Sequence, residues 1–298
     1  MRFFLRFPQN KSKALTFSYD DGVRQDGRFM ELLNKYGLKC TFNINMGSLG
    51  ADKNSGRFSK EELVEAYKGH ELATHGYQHP FFSALPDNMV TYEIATHGYQ
   101  HPFFSELPPE AVSYEIVRDR CELERITGEI IRGHAYAYGD TSDKAVEILG
   151  DSGIVYARTT RATGRFDIPK NWLRLDPTCH HSSVEMFNLI EKFFAPDDRY
   201  HRPRLFYIWG HTYEFDNNVE RNNWDYADEF LSKLSGHEDE VWYATNIEIY
   251  DYVKAYNSLI FSMDGTVVCN PTCTDVWMVD STYPDKEIKI PAGGCYRF

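Results

Sequence analysis

No apolar stretch in this 298-residue chain reaches the ~20 residues that a bilayer-spanning helix needs, so no membrane segment is expected. Basic residues are in the minority, 32 against 44 acidic ones, and no basic run offsets the formal charge of −12. That balance argues against a nucleic-acid partner or an anionic membrane surface. Cysteine is sparse: Cys40, Cys121, Cys179, Cys269, Cys273 and Cys295 form no dense framework, which excludes a small disulfide-stapled scaffold. The opening Met1–Pro8 is too short and too charged for a secretion signal. The expectation is therefore a cytoplasmic protein with mostly reduced thiols. Cys269 and Cys273 lack a second pair beside them, so they are read as structural rather than zinc-binding.

What the chain does have is a copied block. Glu71–Ser83 returns almost unchanged as Glu93–Ser105, 22 residues on, and the likeness continues through Leu85/Leu107, Pro86/Pro108, Val90/Val112 and Tyr92/Tyr114. A tandem duplication thus covers 71–92 and 93–114. Each copy carries a His-x-x-x-His pair, His75/His79 and His97/His101. This is metal-ligand spacing, and a mononuclear site has room for one such pair. Gly76 and Pro80 set the first pair on a loop, unlike the helical His-Glu-x-x-His of zinc proteases.

Short apolar runs alternate with helical spacings along most of the chain. Strands are expected at Ala14–Phe17, Cys40–Asn45, His70–Thr74, Ile130–Ala135, Ile154–Ala157, Leu173–Leu175, Leu205–Trp209 and Val241–Ala244. The helices between them include Phe29–Tyr36 closed by Gly37, one opened by a capping box at Ser59–Glu62, and a long one from Pro109 to Gly128. This alternation predicts an α/β fold with a parallel sheet, and the number of units favours a barrel over residues 1–257. After Asn257, β-type runs separated by turn residues predict a small β appendage over 258–298.

In such barrels functional groups collect where strands end. Asp20-Asp21-Gly22 follows the first strand. Alone it reads as an ordinary Asx-type turn, yet adjacent carboxylates on a turn can divide the work of holding a metal and taking a proton from water. His75 and His79 follow another strand. His211 follows Leu205–Trp209 and suits a proton donor, because imidazole titrates near neutrality. His180 and His181, after Pro177-Thr178, read either as a polar loop or as a substrate contact at the pocket rim. The shared strand-end position outweighs any single motif.

Thr16–Gly22, the His-Gly-Tyr-Gln-His block, Ala135-Tyr136-Ala137-Tyr138-Gly139 and His211, in this order, resemble the polysaccharide deacetylase (NodB-homology, carbohydrate esterase) family. The resemblance implies a distorted parallel (β/α) barrel of the deacetylase type, and a metal-dependent hydrolase that removes acetyl groups from an N- or O-acetylated carbohydrate. Carried over residue by residue, it implies Asp20 as general base and His211 as general acid. The metal would sit on Asp21, His75 and His79, or on Asp21 with His97 and His101. A backbone N–H near Tyr138 would help hold the oxyanion. One divalent ion is implied, zinc first, with cobalt, manganese or nickel admitted by the same ligands. In one place the chain departs from the family: Ala135 and Ala137 stand where it carries an Arg and a Pro. Arg158, at a later strand end, is the candidate substitute for steadying Asp20.

The first copy of the block keeps the natural approach from helix to strand, and the second keeps the exit into the long helix. Extra residues after His79 would bulge at the strand-end face, the usual home of functional loops, so His75/His79 is preferred. A soluble oligosaccharide is the expected substrate; the sequence makes no prediction of oligomeric state. Two other readings stay open at this point. One is an amidohydrolase of the same fold acting on a ureide or other amide. The other is a degenerate carbohydrate-binding scaffold, motivated by the missing Arg and the disturbed loop.

Overall fold

The computed structural model describes residues 3–50, 56–77, 104–105 and 107–298. Its strands are β1 (Phe3–Arg6), β2 (Lys13–Asp20), β3 (Thr41–Ile44), β4 (Glu71–Thr74), β5 (Gly133–Ala135), β6 (Tyr156–Arg158), β7 (Cys179–His180), β8 (Arg204–Gly210) and β9 (Val241–Tyr243). Past the last helix come β10 (Ile260–Phe261), β11 (Val267–Cys269), β12 (Val276–Asp280), β13 (Tyr283–Ile290) and β14 (Cys295–Arg297). The helices are α1 (Gln25–Lys35), α2 (Lys60–Ala66), α3 (Pro109–Thr127), α4 (Asp143–Asp151), α5 (Met186–Phe194), α6 (Trp224–Leu234) and α7 (Asn246–Asn257). No described helix is long and apolar enough to cross a membrane.

Every residue of β2 is buried, as befits a parallel strand covered on both faces. It pairs with β3, β8 and β9, and the sheet runs β6-β5-β4-β3-β2-β8-β7. All its pairings are parallel, so the C-terminal strand ends gather on one face. The sheet curls into a distorted (β/α) barrel. Edge strands β6 and β7 do not pair. The chain between them bridges the gap: Leu175 pairs with Arg158, and the Thr178 N–H donates to the Tyr207 carbonyl. Phe17 and Tyr19 from β2 pack with Phe29 and Leu33 from α1, Phe42 from β3 and Phe206 from β8 in the largest core cluster.

The expected capping box opens α2, with Ser59 and Glu62 exchanging bonds, and Gly128 ends α3 in the left-handed conformation at φ 73°. A second capping box, Thr245 and Glu248, opens α7. The first turn of α7 plugs the N-terminal strand ends. Asn246 bonds Thr16, Tyr207 and Thr41, and Glu71 accepts from the Ile247 N–H and from Tyr156. With its buried polar atoms paired, this end is closed and the opposite face is left for chemistry.

Three expectations need correcting. Leu173–Leu175 is not a strand; Trp172–Arg174 is a single 3-10 turn, because only Leu175 runs beside β6 before the chain leaves for β8. The chain's first strand is Phe3–Arg6, which pairs antiparallel with β12 in a sheet β1-β12-β13, while β10, β11 and β14 form another. The N-terminus thus contributes to the appendage. Finally, Cys269 and Cys295, opposite each other on β11 and β14, form a disulfide, leaving Cys40, Cys121, Cys179 and Cys273 free. Since disulfides persist mainly in oxidising compartments, cysteine usage no longer argues for the cytoplasm.

Asp26 on α1 is fully buried and accepts from Tyr67 at 2.6 Å and Thr212 at 2.5 Å. Burial pushes its carboxyl up to about 7. The folded chain therefore keeps a proton that the unfolded chain releases near pH 4. The resulting stability is complete below that pH and is lost as pH rises through about 7. Asp26→Asn, whose amide can accept one hydroxyl and donate to the other, is expected to flatten this dependence. Urea midpoints across pH 4 to 8 check it, wild type losing on the order of a few kcal/mol and the variant much less.

Candidate active site

Asp20 ends β2 in extended conformation, and the chain turns at once: Asp21 has φ 84° and Gly22 φ 64°. A non-glycine residue held in the left-handed region costs on the order of 1 kcal/mol or more, and here it brings two successive carboxylates to one imidazole. His75, just past β4, has its Nε2 3.8 Å from Asp20 Oδ2 and 3.9 Å from Asp21 Oδ1. Its Nδ1 lies 2.8 Å from the Ala135 carbonyl, which can only accept, so Nδ1 carries the proton. Nε2 is left facing two carboxylates, a donor set that would suit a divalent cation.

The loop carrying His75 is fastened from below. Asn45 Nδ2 donates to the carbonyls of His75 at 2.8 Å and Gly76 at 2.9 Å. Asp119, buried on α3, accepts from the Met46 N–H at 2.8 Å and the His75 N–H at 3.0 Å. Burial pushes its carboxyl up to about 8.

Asp20 is held on both oxygens. Asn43 Nδ2 donates to Oδ1 at 2.8 Å, and Arg158 Nη2 donates to Oδ2 at 2.5 Å. Arg158 is fully buried, its guanidinium 4.6 Å from the Trp209 ring centre. Burial alone would raise the Asp20 carboxyl, but Arg158, His75, His211 and Asn43 together hold it below its ordinary value. Asp20 is therefore an ionised acceptor at neutral pH.

His211, after β8, stands opposite, its Nε2 3.7 Å from Asp20 Oδ2 and its Nδ1 2.7 Å from Glu214 Oε1. Burial disfavours its charged form, yet Glu214, Asp20 and Asp21 lift it above the ordinary histidine value. Glu214 also faces His180 Nε2 at 3.4 Å and His181 Nε2 at 3.3 Å. Burial would raise the Glu214 carboxyl; the three imidazoles hold it far below the usual range. His180 and His181 thus act on Glu214. His181 is buried, stacked against Tyr19 and Phe215, and pushed down to about 4 by burial. Gly210 is required beneath it, since a Cβ there would lie 2.0 Å from His181 Nδ1. His180, His181 and Glu214 have donor atoms within 4.8 Å of one another, a metal-like grouping, but Glu214 is already the acceptor that sets His211.

Among the residues expected from sequence, Asp20, Asp21, His75, Arg158 and His211 come together directly, and His180 and His181 join them through Glu214. Tyr138 has a left-handed backbone at φ 56°, and its hydroxyl is raised by partial burial and by the charge of Asp21. His79, His97 and His101 lie outside the described residues. Sequence reading passed over Asn43, Asn45, Asp119, Trp209 and Glu214. Two had a signal: Glu214 sits three residues from His211, and Asp119 occupies the apolar face of α3 with Val112, Ile116 and Leu123.

The chain matches the polysaccharide deacetylase family over residues 8–95 and 87–157, segments that overlap inside the repeated stretch. The chain belongs to this family. A candidate polysaccharide deacetylase from Mycobacterium smegmatis superposes with a TM-score of 0.52 at 14% identity, covering 85% of this chain and 94% of that one. A family 4 acetyl xylan esterase from Clostridium thermocellum, solved with a cobalt ion, gives 0.48 at 12% identity over 80% and 90% of the two chains. The Streptococcus pyogenes deacetylase PplD, in complex with acetate, gives 0.41 at 17% identity, over 53% of this chain and 61% of its own length. No curated protein matches the chain. In this chain Ala135 and Ala137 stand at the departure, and the guanidinium bonded to Asp20 comes from Arg158 on β6.

Proposed function

We propose that this deacetylase is a metal-dependent hydrolase that removes acetyl groups from an N- or O-acetylated carbohydrate, with a soluble oligosaccharide as substrate. The observation that carries the reading is the convergence of Asp20, Asp21 and the Nε2 of His75. Asp21 and His75 would hold a divalent ion, zinc foremost, with His79 as the further ligand. When bound, the ion would polarise the acetyl carbonyl and acidify water.

The chain's own groups supply the proton traffic. Asp20, ionised and steadied by Arg158 and Asn43, accepts the proton of the attacking water. A main-chain N–H near Tyr138 would help hold the developing oxyanion. His211, kept protonated by Glu214, delivers its Nε2 proton to the departing amine or alcohol and is recharged in the next cycle. Trp209 packs against Arg158, His180 and His211 and helps fix their positions.

Glu214→Gln tests the acid. With the carboxylate gone, the His211 pKa falls and the alkaline limb of the kcat profile moves to lower pH. At pH 8 the rate is expected to drop about tenfold or more, within the usual range for general acid catalysis, while metal content is unchanged. An unmoved alkaline limb would remove Glu214 and His211 from this role.

A further inference from the structure

The gap between β6 and β7 is walled by loops, and beside it lies a cleft of about 1260 Å³ bounded by the segment after β6, the start of β8, the C-terminal half of α7 and β1. Its strand residues, Leu205 and Tyr207, lie toward the N-terminal end of β8, whereas His211 follows the C-terminal end. The cleft's charge opposes that of the chain. It is lined by Arg161, Arg165, Lys170, Arg174, Arg202 and Lys254 against two acidic residues, Asp167 and Asp176, in a protein of formal charge −12.

The arginines are posed by carboxylates. Arg161 Nε donates to Asp176 at 2.9 Å, Arg165 Nε pairs with Asp167 at 3.1 Å, Arg174 with Asp143 at 2.6 Å, and Arg202 Nε with Asp198 at 2.6 Å, so each lining guanidinium is offset by a carboxylate. Lys170 and Lys254 are exposed and join no ion pair among the described residues. Trp172 and Tyr250 meet edge-on at 5.2 Å in the same wall. The loop is fixed: Thr163 and Gly164 donate N–H bonds to the Pro177 and Thr178 carbonyls, and Leu205 donates to Phe166.

We propose that this cleft binds a carbohydrate chain bearing carboxylate or sulfate groups, and so holds an acidic glycan while another part of it is deacetylated. Aromatic rings accept the apolar faces of sugars. The guanidiniums are already paired with carboxylates, so Lys170 and Lys254, which join no ion pair among the described residues, supply the charge for the ligand's oxyanions. The assignment rests on the deacetylase reading for the nature of the ligand, but binding here needs neither metal nor turnover.

Calorimetric titration of the full chain with oligogalacturonate, a heparin oligosaccharide, a neutral cello-oligosaccharide and inorganic sulfate tests it. At least one acidic chain is expected to bind, with carboxylate and sulfate preference read from the two probes. Affinity should fall at least tenfold in Lys170→Glu/Lys254→Glu and weaken with added salt, but persist in His75→Ala. Absence of binding by both acidic chains, equal binding to the charge-reversed variant, equal binding of the neutral chain, or inorganic sulfate binding as tightly as the chains would each overturn it. So would loss of binding in His75→Ala. Acidic-chain binding without acetate release would leave the cleft standing and count against the proposed reaction instead.

Discussion

His75→Ala is expected to strip the protein of its divalent ion and to lower kcat/KM for acetate release by about a thousandfold or more. That is the several kcal/mol a Lewis acid supplies, at 1.36 kcal/mol per factor of ten. The fold should survive, because Asp119 and Asn45 hold this loop through the His75 and Gly76 main chain, not through the imidazole. His79→Ala should behave in the same way, and the His97→Ala/His101→Ala double variant should keep both metal and rate. Metal analysis of dialysed protein, with thermal unfolding as the control for folding, reads all three. Metal kept in His75→Ala, or lost in the double variant, would hand the site to the second copy.

Arg158→Ala should act on the base instead of the metal. Burial already favours a neutral Asp20, and Arg158 is the foremost of the groups opposing it. Without the guanidinium the carboxyl rises. Since the base works only when ionised, the acid limb of the kcat/KM profile moves to higher pH. The loss should approach about a hundredfold near pH 6, the low end of what general-base catalysis contributes, and shrink as the pH is raised. A stability loss of about 3–5 kcal/mol is expected as well, as when a buried ion pair is broken from one side. Arg158→Lys keeps a charge without the planar fork and should recover part of the shift. A pH–rate profile that keeps its acid limb in Arg158→Ala would remove Arg158 from this role.

How far the sequence could be read depended on whether the signal was local. The Asp20–Asp21 turn, the capping box at Ser59 and the Gly128 stop follow from neighbouring residues, and each stands where it was expected. So does the strand-end placement of His75 and His211, because parallel strands bring their C-terminal ends to one face. Residues that act across the sheet had no local mark. Asn43 reaches Asp20 from the adjacent strand, and Trp209 lies beneath Arg158 only once β8 and β6 curl toward each other. The pairing of β1 with β12 joins the two ends of the chain and has no signature in either. Leu173–Leu175 misled because an apolar triplet satisfies strand spacing, whereas the crossing from β6 to β8 leaves room for a single bridge. Cys269 found its partner in Cys295 through the register of β11 and β14, not through its proximity in sequence to Cys273.

The most direct test of the account is acetate release from a panel of acetylated oligosaccharides by chelator-treated protein, before and after a divalent ion is restored. The account predicts no release from the stripped protein and recovery on adding about one equivalent of zinc or cobalt, with recovery absent in His75→Ala. Release that persists after complete removal of metal, or none from any panel member with metal stoichiometrically bound, would contradict it.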